Sequence, residues 1–234
     1  MGLIQDWVTL LCLGRRRFRS DEDYRRLQAY QAHLILRYLE RQGIKVQGRR
    51  VLDLGCGNGG YSEALQAAGA EVISMDRQCP QSSLRSFAQA DAQALPFATS
   101  SFYFVFCASL IEHIPRPVAL LREMRRVLVP EGAGYVSFPP FYSPAGGHQF
   151  KPYHLLGERL AIRLSGFDCQ EFTVCFGDYG LYPLSIRKVK RVAKEVGFSV
   201  EDISVRFLPL NVGRIPVLGE FLTWHVQFLL RKPN

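Results

Sequence analysis

The stretch RRVLDLGCGNGGYSEAL, residues 49–65, decides how the rest of the chain is read. Val51–Leu54 is a short apolar run, a glycine-rich turn follows it, and a helical pattern begins at Gly59, so the chain passes here from strand through turn to helix. Glycines in such a turn let the backbone approach a ligand with no Cβ in the way. Two registers fit, Gly55-x-Gly57-x-x-Gly60 and Gly55-x-Gly57-x-Gly59. The glycines alone do not choose between them.

Outward from this turn the pattern repeats. Apolar runs at Glu71–Met75, Leu84–Ala90, Tyr103–Cys107 and Gly134–Phe138 read as further strands. Between them lie Gly59–Ala68, closed by Gly69, and a second helix whose face is Pro117, Leu120, Leu121, Met124, Val127 and Leu128, stopping near Pro130 and Gly132. Upstream, Tyr24, Leu27, Ala32, Leu34, Ile35, Tyr38 and Leu39 give residues 21–42 a helical face, with Ser20 as cap and Gly43 as stop. Strands alternating with helices imply an α/β fold, a Rossmann-like doubly wound and mostly parallel sheet with its ligand at the strands' C-terminal ends. Downstream, PPFYSPAGGHQFKPYHLL reads as part of an insertion over about 139–183, and Ile186–Val196 as a helix ended by Gly197. Ile203/Val205/Phe207 and Trp224/Val226/Phe228/Leu230 alternate with period two and predict an antiparallel strand pair at one edge. The expected organisation is an N-terminal helical, basic segment over 1–47 and one domain over 48–234.

Composition narrows the function classes. A chain of 234 residues with 47% hydrophobic and 21% charged residues buries a full α/β core but has no length for a separate substrate domain. The six cysteines form no C-x-x-C pair, which predicts buried thiols in a reducing compartment; no metal site is expected. Residues 1–50 carry 11 Lys/Arg against 5 Asp/Glu, which is +6 of the chain's net +8. No aromatic-interleaved binding module accompanies this charge, so nucleic acid is not an expected partner, whereas an anionic membrane surface suits it. The run Trp7–Leu13 is too short to span a bilayer, and arginines follow it where a signal peptide would have its cleavage site. The expectation is a cytosolic protein, with peripheral membrane contact and a basic helix closing over the ligand as the two readings of the N-terminus.

The charges around the turn choose its ligand. Gly55-x-Gly57-x-x-Gly60 is the dinucleotide fingerprint, but Asp53 sits two residues before the first glycine, where it would repel a pyrophosphate. S-adenosylmethionine has no phosphate; its ammonium and sulfonium suit a carboxylate, and Gly55-x-Gly57-x-Gly59 is a turn used around it. Asp76 ends the second strand, where a carboxylate can accept from both ribose hydroxyls. Asp91 follows the third strand, placed to accept from the adenine amino group, with the Ala92 N–H beside it.

The ordered stretches VLDLGCGNGG, VISMD, ADAQALPF, SFYFVFCASLIEHIPRP and LREMRRVLVPEGAGYVSFP resemble the successive motifs of class I S-adenosylmethionine-dependent methyltransferases, especially the small-molecule branch related to the quinone-biosynthesis enzymes. The resemblance implies that Asp53, Gly55, Cys56 and Gly57 line the methionine end, Asp76 and Arg77 face the ribose, Asp91 and Ala92 face the adenine, and Ala108 lies beneath the sulfonium. Tyr103 departs from the family, whose fourth strand usually begins with an acidic residue.

Methyl transfer from a sulfonium is an in-line displacement with a neutral leaving group, so alignment of donor and acceptor supplies much of the acceleration. A hydroxyl acceptor must also lose a proton, which makes a base useful. His148, in its glycine-hinged loop, is the first candidate and His154 the second; Glu112–His113, His33 and His225 read as structural. Phe138, Phe141, Tyr142, Phe150, Tyr153, Tyr179 and Tyr182 are candidate walls of an acceptor pocket. The expected function is methyl transfer to a small molecule, at an oxygen of a sugar, lipid-linked glycan or secondary metabolite. Carbon or nitrogen acceptors, an NAD(P)-binding oxidoreductase and a non-catalytic cofactor-binding protein are the alternatives.

Overall fold

The computed structural model describes residues 3–16, 19–79, 84–166, 175–176, 180–206, 211–215 and 217–234. Helices α1 (Leu3–Arg16) and α2 (Asp21–Arg41) precede β1 (Arg50–Leu54), α3 (Gly60–Ala67), β2 (Glu71–Asp76), β3 (Phe87–Gln89) and β4 (Phe102–Ala108). Then come α4 (Pro117–Val127), β5 (Leu128–Phe138), α5 (Glu158–Ser165), a two-residue pair β6 (Cys175–Phe176) and β7 (Gly180–Leu181), and α6 (Ile186–Glu195). The chain closes with β8 (Ser199–Val205), α7 (Leu218–Leu222) and β9 (Val226–Arg231).

Seven strands form one sheet in the order β3-β2-β1-β4-β5-β9-β8. The first five run parallel, and β9 is antiparallel to both β5 and β8, as the period-two pattern at the C-terminus predicts. Alternation along β1 divides the core. Val51 packs with α2 and α3 on one face, beside Ile35, Leu39, Tyr61 and Leu65, while Leu52 and Leu54 pack with α4 and α6 on the other, beside Leu121, Met124 and Val189. Residues of α2 thus belong to the same core as the sheet. Ser20 caps that helix by accepting from Asp23 N at 3.1 Å.

Three boundaries differ from the sequence reading. The third strand covers only Phe87–Gln89, where three residues pair with Ser74–Asp76. Helix α4 ends at Val127 rather than near Pro130, because Leu128 already pairs with Phe102 and the strand runs on without a loop across a register shift. The last strand starts at Val226, not Trp224. Phe207 and Tyr179 lie outside the described residues.

Candidate active site

Strand order reverses between β1 and β4, and beyond the C-terminal ends of these strands lies a cavity of about 1490 Å³. An ordinary ligand pocket takes roughly 300–1,000 Å³, so two molecules can lie side by side here. Gly55 and Gly57 after β1, Asp76 and Arg77 at the end of β2, Asp91 after β3 and Ala108 at the end of β4 all line it.

The turn's conformation settles its register. Gly55, Gly57 and Gly59 have φ of +80°, +51° and +85°, the left-handed region open to glycine, whereas Gly60 begins α3 without a positive φ. A Cβ on Gly60 would lie 2.6 Å from the Gln28 Oε1, so that glycine serves the packing of α3 on α2. The left-handed turn is therefore Gly55-x-Gly57-x-Gly59, of which Gly55 and Gly57 line the cavity. At Gly57 nothing lies within 4 Å of a would-be Cβ, which leaves its backbone bare to the cavity.

Asp76 is fixed at the mouth of this turn by accepting from Gly57 N at 2.9 Å and Gln78 N at 3.1 Å. A carboxylate has about four acceptor sites, so capacity remains for a diol. Asp91 accepts from Gln93 N at 2.8 Å; that bond holds its carboxyl below the usual range, and the Gln93 side chain, Arg77 and Arg116 add to the effect. It remains an ionised acceptor.

Asp53, Cys56 and Ala92, expected as direct contacts, stand behind the wall rather than in it. Asp53 shares the face of Val51, so its side chain lies under α3, 1% exposed, accepting from the Ser62 hydroxyl at 2.5 Å; Ser74 donates in turn to Ser62 at 2.7 Å. Burial pushes its carboxyl up to about 7 against the Ser62 bond, and the charge of Asp76 adds to the rise. Cys56 is buried and its thiol pushed up to about 12, so it stays protonated. Ala92 is buried in the α4-side core.

The cavity wall also carries His113, His148, Tyr182, Arg206 and His225. Glu112 and His113 sit on the one-turn helix Ile111–His113 that follows β4. The insertion is tied to this turn: His113 Nδ1 meets the Gly180 carbonyl at 2.7 Å, and Tyr182 N donates to the Glu112 carbonyl at 2.9 Å. A carbonyl only accepts, so Nδ1 carries the proton; burial lowers the ring's pKa and keeps it neutral, with Nε2 as lone pair. The Glu112 side chain is 2% exposed and its two oxygens have no hydrogen-bond partner. Burial pushes its carboxyl up to about 8.

Two glycines bring His148 over this turn. A Cβ at Gly146 would lie 2.1 Å from the Pro140 carbonyl, and one at Gly147 would lie 2.2 Å from His154 Nδ1. The chain can therefore fold tightly enough to seat His148, itself at φ +47°, with Nε2 3.8 Å from Glu112 Oε1 and its ring edge-on to His113 at 5.0 Å. His154 is a different case. It is 2% exposed, packs edge-on against Phe141 at 5.3 Å and does not line the cavity, so its place in the catalytic pair is corrected to a core position of the insertion. Phe141 and Phe150 form that core with Ala161 and Leu181, and Phe138 stacks on Phe228. Of the aromatics expected as walls, Tyr182 is in place, while Tyr142 and Tyr153 are exposed.

Arg206 escaped the sequence reading. It donates to His225 Nε2 at 3.1 Å, Ser137 Oγ at 3.3 Å and the Tyr61 hydroxyl at 3.3 Å, placing a fixed positive charge in the cavity wall. The available signal was the period-two polar face Asp202, Ser204, Arg206, opposite Ile203 and Val205. Helix α1 supplies an outer wall through Trp7, Leu10, Leu11 and Arg15. Asp6 anchors it to α2 by accepting from the Tyr30 hydroxyl at 2.7 Å and from the Arg37 guanidinium.

Residues 52–136 match a family model described as a methyltransferase domain. An uncharacterized methyltransferase of Mycobacterium marinum is 34% identical over 206 residues, 82% of this chain and 80% of that protein. One of Mycobacteroides abscessus is 29% identical over 209 residues, with the same coverage. Among solved structures, an S-adenosylmethionine-dependent methyltransferase of Mesorhizobium loti superposes with a TM-score of 0.58 at 18% identity, covering 83% of this chain and 95% of that one.

Proposed function

Because the chain belongs to the class I S-adenosylmethionine-dependent methyltransferases, we propose that it transfers the methyl group to an oxygen of a small acceptor, a sugar or lipid-linked glycan, entering from a membrane surface. The observation that carries this reading is one cavity whose lining joins the glycine turn, Asp76 and Asp91 to Ala108, His113, His148 and Arg206, with Trp7, Leu11 and Trp224 also in its wall. Gly55 and Gly57 take the methionine end, with Asp53 acting on its ammonium from beneath. Asp76 and Arg77 take the ribose, and Asp91 the adenine. The acceptor then lies against the histidine-lined wall. An oxygen suits that wall better than a quaternising nitrogen, because a hydroxyl must lose its proton and a cluster of Glu112, His113 and His148 can promote that loss.

Calorimetry tests the cofactor half: S-adenosylhomocysteine binds in the micromolar range while NADH gives no heat, since Asp53 beneath the turn suits a cation and opposes a pyrophosphate. Transfer from methyl-labelled cofactor into lipid extracts and into water-soluble glycans tests the acceptor half. Label in an O-methyl sugar supports the reading, and label confined to N-methyl or C-methyl products overturns it.

The membrane part rests on exposed side chains. Among the described residues no helix is long and apolar enough to cross a bilayer. Leu218, Phe221 and Leu222 of α7 are about half exposed, Trp224 follows them, and Phe221 meets Tyr142 of the insertion at 5.9 Å. Trp7, Val8 and Leu11 on α1 are also exposed, on a helix ending in Arg15 and Arg16. Such apolar residues beside basic ones suit the interface of an anionic leaflet. The full chain is expected to co-sediment with anionic vesicles at low salt and to be released by high salt, and Trp7→Glu with Leu11→Glu should abolish the pelleting. Equal pelleting of variant and parent removes α1 from the contact.

A further inference from the structure

We propose that Glu112, His113 and His148 bind one divalent transition-metal ion, on the acceptor side of the cavity. Their ligating atoms all lie within 4.8 Å of one another. Glu112 Oε1 is the centre of the group, 4.0 Å from His113 Nε2 and 3.8 Å from His148 Nε2. Metal bonds of about 2.0–2.2 Å hold neighbouring ligand atoms roughly 3–3.5 Å apart, so side-chain adjustments of less than about 1 Å would close the site.

Three features favour an ion over an ordinary packing cluster. The first is the orientation of His113, whose Nδ1–H is spent on the Gly180 carbonyl at 2.7 Å. Its Nε2 lone pair therefore faces the Glu112 carboxyl at 4.0 Å, too far for a hydrogen bond between them. A carbonyl on the rear nitrogen is also the support that metal-ligating histidines usually have. The second is Glu112 itself, a carboxyl only 2% exposed whose oxygens have no hydrogen-bond partner. Arg206 contributes charge in this region without hydrogen-bonding to that carboxyl, its own bonds going to Ser137, His225 and Tyr61. The third is access. His113 and His148 line the cavity, so three protein ligands would leave coordination positions open on the side where the acceptor enters.

Two imidazoles and one carboxylate match zinc, manganese or iron(II), whereas magnesium and calcium prefer sites built from oxygens. Sequence spacing concealed the set. Its members are adjacent residues on a turn and a residue 36 positions on, brought back by Gly146 and Gly147, in a chain for which no metal was expected.

The ion's binding is independent of the proposed acceptor, but its role rests on that reading. An acceptor hydroxyl coordinated by the ion becomes more acidic and gives its proton to solvent. The O–CH3 bond then forms as the S–CH3 bond breaks, and the electron pair of the broken bond stays on sulfur, leaving a neutral thioether.

The test titrates chelator-stripped full-length protein with Mn2+, following binding by calorimetry and by the paramagnetic signal, with Zn2+ in competition. Manganese is the direct probe because exposed Cys12 and Cys79 are potential zinc ligands. The expected result is one equivalent bound. Glu112→Gln and His113→Gln should each weaken binding by at least about tenfold, while binding S-adenosylhomocysteine like the parent, which shows that they are folded. No binding of either ion by the parent, or binding unaffected by both substitutions, overturns the site. A parent that binds Mn2+ but methylates only carbon or nitrogen keeps the site and removes the oxygen acceptor.

Discussion

His148→Ala lowers methyl-transfer turnover by about 10²–10⁴-fold, the range associated with losing a group that acts on the proton or charge of the transition state. Affinity for S-adenosylhomocysteine should stay near that of the parent, because Asp76 and Asp91 take their bonds from Gly57, Gln78 and Gln93 while His148 sits against Glu112 and His113. His154→Ala provides the contrast. His154 fills the space beside Gly147 and Phe141 inside the insertion, so its loss should lower the melting temperature, with turnover reduced only as far as the loop carrying His148 loosens. Steady-state kinetics with a working acceptor and thermal melts of both variants check this pair. A His148 variant that turns over at the parental rate removes the cluster from the reaction, and a His154 variant that melts like the parent but is catalytically dead reverses the two roles.

What the sequence could disclose follows from how local each feature is. The glycine turn was legible because left-handed backbone at alternating positions restricts the residue type strongly, and the answer to its register lay in Asp53, two residues away. The strand-end acids were legible for the same reason: each sits at the boundary of an element whose period is visible. Placing Asp53 in the cavity wall ignored that same period. With Val51 it faces α2 and α3, while the neighbouring Leu52 and Leu54 face α4, so its carboxyl is carried beneath the turn. The acceptor side depends on contacts between residues far apart in sequence. His113 meets Gly180 across 67 positions, and Arg206 reaches Tyr61 across 145. His148 and His154 occupy similar aromatic, proline-bearing surroundings in the sequence, and only the close packing at Gly146 and Gly147 turns one to the cavity and the other into the core of the insertion. Glu112 and His113 read as structural because such a pair recurs in the resembled family without a shared catalytic duty, and nothing local in the sequence shows that His148 returns to it.

The Asp53 carboxyl costs the cofactor-free protein stability as pH rises from about 4 to above 7, and Asp53→Asn should remove that contribution. The buried carboxyl titrates at about 7 in the folded chain, against an ordinary value of 3.8 once unfolded. Between these values the folded state holds a proton that the unfolded state has released, so each increment of pH favours unfolding. The contribution is complete below the unfolded value and gone once pH has passed the folded one. At full ionisation the penalty is roughly 4 kcal/mol by linkage, large against the 5–15 kcal/mol that usually holds a domain. An asparagine can still accept from Ser62 but cannot ionise. An amide packs differently from a carboxyl at any pH, so the readout is how the stability difference between parent and variant changes from pH 5 to pH 8 in denaturant titrations. A difference that moves by about 2–3 kcal/mol in the variant's favour is expected, and one that stays flat shows that Asp53 is ionised throughout. The cofactor acts in the opposite direction: an ammonium seated on the Gly55–Gly57 turn lowers the carboxyl's pKa, so near pH 6.5 binding of S-adenosylhomocysteine should release protons from the parent and fewer from Asp53→Asn, measurable in buffers of different ionisation enthalpy. A cost carried by the empty protein and relieved by the bound cation would give the buried carboxyl under the turn a part in cofactor binding.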